Sequence, residues 1–99
     1  MGIKHPSKIR LSARGEHCMV RIPAVCNHDP ATVVLAHLNG AGMGMKASDI
    51  HGAYCCSACH DVIDQRVKCE YPAPVIKLWF FEGMVRTQAM LIEKGLIRA

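Results

Sequence analysis

The chain of 99 residues lacks any run of about 18 consecutive apolar residues, which is the length that a membrane-spanning helix needs. Its first residues, Met1 to Pro6, also lack the apolar segment of a secretory signal peptide. Only five residues are aromatic, and the sequence contains neither an internal repeat nor a low-complexity segment. We therefore expect a cytoplasmic protein without a membrane partner. No feature indicates an oligomeric state.

The composition is that of a folded protein, because 51% of the residues are hydrophobic. We expect one domain over residues 1–99, with a basic arm at 1–15 and a C-terminal helix at 75–94. Twelve Lys and Arg exceed eight Asp and Glu, giving a net charge of +4. This balance suits a polyanionic partner such as a nucleic acid, although a solvated basic tail explains it equally well. The basic residues near the N-terminus are Lys4, Lys8, Arg10, Arg14 and Arg21.

Cysteine is abundant, with six residues, and grouped cysteines in a reducing compartment usually bind metal or carry out redox chemistry. Cys56 and Cys59 form a C-x2-C pair, and Cys18 and Cys26 flank a predicted turn. Four thiolates are a common tetrahedral ligand set for structural zinc. Because the spacing between Cys18 and Cys26 is less specific, either of them could instead be a simple buried thiol.

Two further groups have the chemistry of an active site. His60 and Asp64 are four residues apart on a predicted helix, so both side chains can reach one divalent cation and leave its other positions open. A solvated His–Asp pair is the alternative. His37 ends an apolar strand and precedes a glycine-rich loop at 39–44. A neutral imidazole there can act as a general base, although a structural histidine is the alternative.

The hydrophobic pattern predicts strands at 18–22, 32–37 and 50–55 and a helix at 57–67. A long amphipathic helix follows at 75–94, and Gly95 is its stop signal. The residues of this helix that we expect in or beside the core are Ile76, Trp79, Phe80, Phe81, Met84 and Leu91.

The order of a strand ending in histidine, a loop, a strand, C-x-x-C-H and a helix resembles the ββα-metal fold of HNH endonucleases. The sequence resembles in particular the small phage and prophage nucleases of the YbcO type. The most specific shared motifs are Arg21-Ile22-Pro23 followed by Cys26, and Cys56 to Asp61. Other shared segments are residues 13–16, 34–37, 63–64, 82–84 and 86–88.

The resemblance implies an α+β fold, namely a small zinc-stapled ββα-metal (HNH-like) domain with an additional C-terminal amphipathic helix. It implies a metal-dependent endonuclease that hydrolyses phosphodiester bonds in DNA, with His37 activating the attacking water. His60 and Asp64 then correspond to the ligands of a catalytic Mg²⁺ or another divalent metal. The cysteines that correspond to ligands of a structural Zn²⁺ are Cys18, Cys26, Cys56 and Cys59.

Two positions depart from the HNH pattern. Ala36 stands where a metal ligand often precedes the base, and Asp49 only roughly occupies the place of the middle asparagine. These departures leave open a non-catalytic zinc-binding module of phage origin that binds DNA or another partner. Cys56 to His60 also spell a haem-attachment motif or a thiol–disulfide motif. Neither alternative fits well, since an export signal and a βαβ pattern are both missing.

Overall fold

The computed structural model describes residues 7–38 and 48–98. Within these ranges a two-stranded sheet combines with three α-helices, so the α+β class is confirmed. The elements in chain order are α1 (Lys8–Ser12), a 3-10 turn (Pro30–Thr32), β1 (Val34–His37), a second 3-10 turn (Asp49–His51), β2 (Gly52–Cys55), α2 (Ser57–Ile63) and α3 (Ala73–Glu93). The start of the predicted basic arm and the glycine-rich loop at 39–44 lie outside the described residues.

The two strands form an antiparallel pair in which Val34 lies opposite Cys55 and His37 lies opposite Gly52. Both strands are shorter than predicted, because a 3-10 turn with a side-chain cap precedes each of them. Every residue of β2 is buried, whereas β1 exposes its first residue. His37 therefore lies at the last position of β1, at the end of the sheet where β2 begins.

The prediction of a strand at 18–22 is wrong. The backbone bends there, and Arg21 has a φ of 55°, in the left-handed region that a strand does not use. The segment still packs against the sheet, since the N–H of Met19 donates to the carbonyl of Tyr54 at 2.8 Å. Val20 and Ile22 are buried in the core. The apolar pattern of this segment therefore reflects burial rather than strand pairing.

Helix α2 ends at Ile63, four residues before the predicted end at 67. Gln65 has a φ of 62°, and a left-handed residue at this place ends an α-helix. The N–H groups of Arg66 and Val67 then both turn back to the carbonyl of Asp61, at 2.8 and 3.2 Å. The helix is therefore just long enough to carry the predicted His60 and the residues up to the predicted Asp64.

Helix α3 agrees with its predicted bounds of 75–94 to within two residues at each end. Pro74 lies in its first turn, where the missing N–H of proline costs no helical hydrogen bond. Gly95, with a φ of 74°, follows the C-terminal cap and confirms the predicted stop. In the part of the chain that the structure describes, neither α3 nor any other helix has the length and apolar character needed to cross a membrane.

The core joins α3 to the sheet and to the segment before β1. Phe80 and Leu91 are buried as predicted, and Gly83 is buried although it carries no apolar side chain. A Cβ atom at Gly83 would lie 2.8 Å from Cγ2 of Val20 and 3.0 Å from the carbonyl oxygen of Met19. Glycine is therefore required for this close approach. The other predicted α3 residues pack partly buried against the core, and they are Ile76, Trp79, Phe81 and Met84.

Three consecutive residues of α3 fix three separate segments of the chain. Arg86 and Gln88 donate side-chain hydrogen bonds to the carbonyl groups of Met19 and Ile50, at 2.8 and 2.7 Å. Between them, the buried Thr87 hydroxyl accepts a hydrogen bond from a backbone N–H of β2 at 2.9 Å. These bonds hold the loop before β1, the turn before β2 and the sheet itself against one helix.

Candidate metal centre and active site

Four of the six cysteines form one cluster, in which all Sγ atoms lie within 4.8 Å of one another. Three of these residues are buried, and Cys26 is partly exposed. Cys55 is buried beside the cluster, and Cys69 is partly buried elsewhere. The members of the cluster are the four cysteines that the sequence grouped, namely Cys18, Cys26, Cys56 and Cys59.

The loop that carries Cys18 and Cys26 turns sharply without using glycine. Arg21 and Ala24 have φ values of 55° and 63°, and His28 just beyond the loop has a φ of 55°. The turn at Arg21 directs its backbone N–H towards Sγ of Cys18 at 3.5 Å. This strained backbone folds the two cysteines towards the same point.

The other two thiols are placed by the start of α2. Cys56 is the N-cap of this helix, and its Sγ accepts a hydrogen bond from the N–H of Cys59 at 3.4 Å. A polar network joins this helix start to the Cys26 loop. Asn27 donates to the hydroxyl of Ser57 at 3.0 Å, and the N–H of Ser57 donates to the Thr32 hydroxyl at 3.2 Å. Hydrogen bonds between polar side chains and the backbone therefore also hold the two halves of the cluster together.

The thiols of the cluster differ in acidity. Hydrogen bonds from Cys55 and Cys59 lower the pKa of Cys18, so the thiolate is favoured there. Burial raises the pKa of Cys26 to about 11. The pKa of Cys55 is raised by its hydrogen bond to Cys18, so Cys55 remains a thiol that donates to its neighbour.

The donor set fits a tetrahedral metal ion. Zinc–sulfur bonds of about 2.3 Å place neighbouring sulfur atoms of a tetrahedron about 3.8 Å apart. Sγ of Cys56 lies 3.8 Å from Sγ of Cys26, a pair that bridges the two halves of the cluster. The four cysteines could therefore bind a metal such as zinc with little rearrangement.

The predicted pair on α2 is formed, since Nε2 of His60 lies 3.0 Å from Oδ2 of Asp64. Both side chains are about one-quarter exposed, at 27% and 25%. A separation near 3.0 Å is that of neighbouring ligands in an octahedral site with bonds of about 2.1 Å. The same oxygen of Asp64 lies 3.3 Å from Nη2 of Arg66. The pair can therefore bind a divalent cation or take part in a network of ion pairs on the surface.

His37 contacts a carboxylate that the sequence did not link to it. Nε2 of His37 lies 2.6 Å from Oδ1 of Asp49, which is twelve residues away. Asp49 also accepts hydrogen bonds from the Ser7 hydroxyl at 2.5 Å and from Nε of Arg10 at 3.2 Å. Partial burial raises the pKa of Asp49, but these three hydrogen bonds outweigh it and lower the pKa to about 2. Asp49 is therefore an ionised acceptor at neutral pH.

The remaining residues that the sequence singled out lie in different environments. Lys8, Arg10 and Arg14 are exposed, but Arg10 also donates a hydrogen bond to Asp49. Nε of Arg21 donates to the carbonyl of Cys18 at 3.1 Å, so this arginine supports the cysteine loop. Ala36 is buried within β1 and offers no ligand atom. Only part of the predicted basic arm is therefore available for contact with a partner.

A cavity of about 420 Å³ is lined by residues that are next in sequence to His37 and to Asp64. It is lined by α2, by α3 and by Leu38, which directly follows His37. Ile63, which directly precedes Asp64, lines the same cavity. The residue after β1 and the last residue of α2 therefore line one concave surface, next in sequence to His37 and Asp64.

The chain matches the family described as "Putative nuclease YbcO" over residues 7–96. It belongs to this family. YbcO proteins of Escherichia coli (strain K12) and Enterobacteria phage 82, both named as nucleases of this kind, are each 45% identical to the chain over 94 residues. Each of these alignments covers 92% of the chain and 97% of the relative.

A solved structure from the same bacterium has a similar fold. It is described as "Structure of a putative bacteriophage protein from Escherichia coli str. K-12 substr. MG1655", with a TM-score of 0.78 and 44% identity to the chain. The match covers 89% of the chain and 100% of that structure. The YbcO part of the resemblance and its link to phages are thus confirmed, and the nuclease name is shared by the family.

Proposed function

We propose that this protein is a metal-dependent endonuclease of the HNH type that hydrolyses phosphodiester bonds in DNA. His37 is its general base, and His60 and Asp64 hold a catalytic divalent metal such as Mg²⁺. The observation that carries this proposal is the shared cavity, which is lined by Leu38, directly after His37, and by Ile63, directly before Asp64. The nuclease name of the YbcO family supports the reaction class.

The order of the elements supports a ββα-metal domain over residues 1–99. The antiparallel strands β1 and β2 are followed directly by α2, and only Cys56 separates β2 from the helix. In such a domain the general base, His37, comes from β1, and the metal ligands, His60 and Asp64, come from α2 and its C-terminal end. Helix α3 adds the C-terminal support, since Thr87 accepts a hydrogen bond from β2 and Gly83 approaches the loop before β1 closely.

In the proposed reaction, His37 takes a proton from water while the water oxygen forms a bond to phosphorus. The bond between phosphorus and the leaving oxygen breaks, and the leaving oxygen takes up a proton from solvent. One product end then carries the phosphate and the other a hydroxyl group. His60 and Asp64 would hold a divalent cation, which when bound would supply positive charge to stabilise the negative charge that develops on the phosphate.

The four-cysteine cluster is the proposed site of a structural zinc ion. It joins the Cys18–Cys26 loop to the first turn of α2, and His60 directly follows the ligand Cys59. Because a chain of this size has a small core, a closed metal site contributes much of its stability. The cluster thereby also fixes the position of His60 on the helix.

The proposed DNA contact uses the net positive charge of the chain and the exposed cations of α1 and the following turn. Lys8 and Arg14 are the described arm residues that can reach backbone phosphates. Such contacts give affinity without base specificity, and they weaken as salt concentration rises.

A non-catalytic zinc-binding module that binds DNA or another partner is the alternative function. The ion pair between Arg66 and Asp64, together with the buried Ala36 in place of a ligand, favours it. In this alternative the cysteine cluster and the basic residues suffice. Substitution of His37 or Asp64 then leaves the biological function unchanged.

The two functions are distinguished by nicking of supercoiled plasmid with Mg²⁺, Mn²⁺ or a chelator. The wild-type protein is compared with His37→Ala and with His51→Ala, a matched change at an exposed histidine of the neighbouring turn. Zinc content and circular dichroism confirm that all three proteins are folded. Metal-dependent nicking that is lost only in His37→Ala supports the nuclease. Nicking that is equal in all three proteins, or absent from all, contradicts it.

A further inference from the structure

We propose that Asp49 is a positioning residue that holds the neutral His37 imidazole with its proton on Nε2, which leaves Nδ1 to accept the proton from water. The proposal concerns the tautomer of one histidine and the group that sets it. Its catalytic meaning rests on the proposed nuclease function, whereas the tautomer itself is measured without any reaction.

The tautomer follows from the contact between the two side chains. An ionised carboxylate only accepts hydrogen bonds, so at 2.6 Å from Asp49 the Nε2 atom of His37 must be the donor. A neutral imidazole carries one proton, and its other nitrogen therefore holds the lone pair. When Nδ1 takes a proton, the positive charge forms beside the carboxylate that is already in place.

Asp49 itself is held by the N-terminal helix. The Ser7 hydroxyl donates to Oδ2 of Asp49 while it accepts the N–H of Arg10 as the N-cap of α1. Nε of Arg10 donates to the other carboxylate oxygen. The backbone of the Asp49 turn is held by a separate contact, because Gln88 on α3 donates to the carbonyl of Ile50.

These contacts distinguish Asp49 from an ordinary surface acid near a histidine. Exposed ion pairs contribute little because their side chains move and water competes for them. The side chain of Asp49 is only 19% exposed, and it accepts hydrogen bonds from three separate side chains. With the carboxylate fixed in this way, the imidazole orientation is fixed as well.

The direct test is NMR of protein labelled with ¹⁵N-histidine, at a pH above the ordinary histidine pKa of about 6.5. The ¹⁵N shifts of the two ring nitrogens show which one carries the proton. We expect the Nε2–H form of His37 in the wild-type protein. Asp49→Ala should give a mixture of both tautomers, and Ser7→Ala should give a smaller change in the same direction.

Asp61→Asn serves as the matched control, because this carboxylate on α2 binds Arg66, which follows the helix, rather than the His37 ring. The control should keep the wild-type spectrum of His37. A wild-type His37 with its proton on Nδ1, or a tautomer that is unchanged in a folded Asp49→Ala protein, overturns the proposal.

Plasmid nicking by the same variants tests the catalytic meaning. Asp49→Ala should lower kcat by about 10²-fold, the lower end of what general bases contribute, and should change KM little. Loss of kcat without a change of tautomer overturns the positioning role. A wild-type protein that nicks no DNA contradicts the proposed function, while the spectrum still decides whether Asp49 sets the imidazole.

Discussion

The sulfur atoms of Cys26 and Cys56 lie 3.8 Å apart, although thirty residues separate them along the chain. The intervening residues include both strands, so this contact closes a loop that contains the whole sheet. It joins the loop before β1 to the first turn of α2, beside the hydrogen bond from Asn27 to Ser57.

The first prediction is that Cys56→Ser abolishes metal binding and unfolds the protein. Structural zinc contributes about 10–16 kcal/mol in small domains, which matches or exceeds the total stability of about 5–15 kcal/mol. Zinc content by mass spectrometry and circular dichroism measure the effect. Cys69→Ser is the control and should keep one zinc per chain. A folded Cys56→Ser protein would show that the ion is dispensable.

The second prediction is that His60→Ala lowers metal-dependent nicking by at least about 10²-fold while the zinc content stays at that of the wild type. His60 lies next to a cysteine of the cluster but points its Nε2 atom at Asp64. Nicking is measured over a series of Mn²⁺ concentrations. Unchanged activity at saturating Mn²⁺ would argue against a metal site at this pair.

The third prediction is that Gly83→Ala destabilises the protein by about 1–3 kcal/mol, because the added methyl group meets the loop before β1. Urea denaturation measures the free energy of unfolding. Val85→Ala, at an exposed position of the same helix, should change it by no more than about 0.5 kcal/mol. A similar loss of unfolding free energy in the two variants would show that the close approach between Gly83 and the loop before β1 is relaxed in solution.

The fourth prediction is that Thr87→Val costs about 1–3 kcal/mol, whereas Thr87→Ser costs less. Valine has nearly the same shape as threonine but leaves the buried N–H of Tyr54 without its acceptor. Serine keeps the hydroxyl. Urea denaturation of the two variants separates the hydrogen bond from the packing of the methyl group. Equal losses in both variants would assign the effect to packing.

The fifth prediction concerns the stability of the protein at acid pH. The pKa of Asp49 is lowered from 3.8 to about 2, so its ionisation stabilises the folded protein above pH 3.8, and this stability is lost as the pH falls towards 2. The contribution is on the order of 1 kcal/mol, because water partly screens the site. Urea denaturation between these pH values should show a smaller pH dependence for Asp49→Asn than for the wild-type protein. An equal dependence would mean that the three hydrogen bonds are weak in solution.

Local spacing in the sequence was sufficient to predict part of this arrangement. The C-x2-C pair and the i, i+4 spacing of His60 and Asp64 both act over one helical turn, where geometry follows directly from sequence. The end of α3 was equally predictable, because glycine in the left-handed region stops a helix. The grouping of Cys18 and Cys26 with the other pair relied on metal chemistry, and the structure places all four together.

Other features depend on contacts that the sequence pattern does not encode. The apolar residues at 18–22 suggested a strand, but the left-handed Arg21 ends extended structure there. Asp49 reaches His37 across twelve residues whose path no periodicity determines. Gly83 is buried because the loop before β1 approaches the helix backbone closely, and Thr87 is buried because its hydroxyl accepts a hydrogen bond from β2. Hydrophobic periodicity does not predict the burial of either residue.

The bonds from Arg86 and Gln88 also link the two sites mechanically. Arg86 binds the residue after Cys18, and Gln88 binds the residue after Asp49, so the cysteine cluster and the His37–Asp49 pair are anchored two positions apart on one helix. A slip of α3 by a single residue turns it by about 100° and breaks both anchors at once. Helix α3 therefore fixes the position of the cysteine cluster relative to the His37–Asp49 pair, although the two sites belong to different parts of the chain.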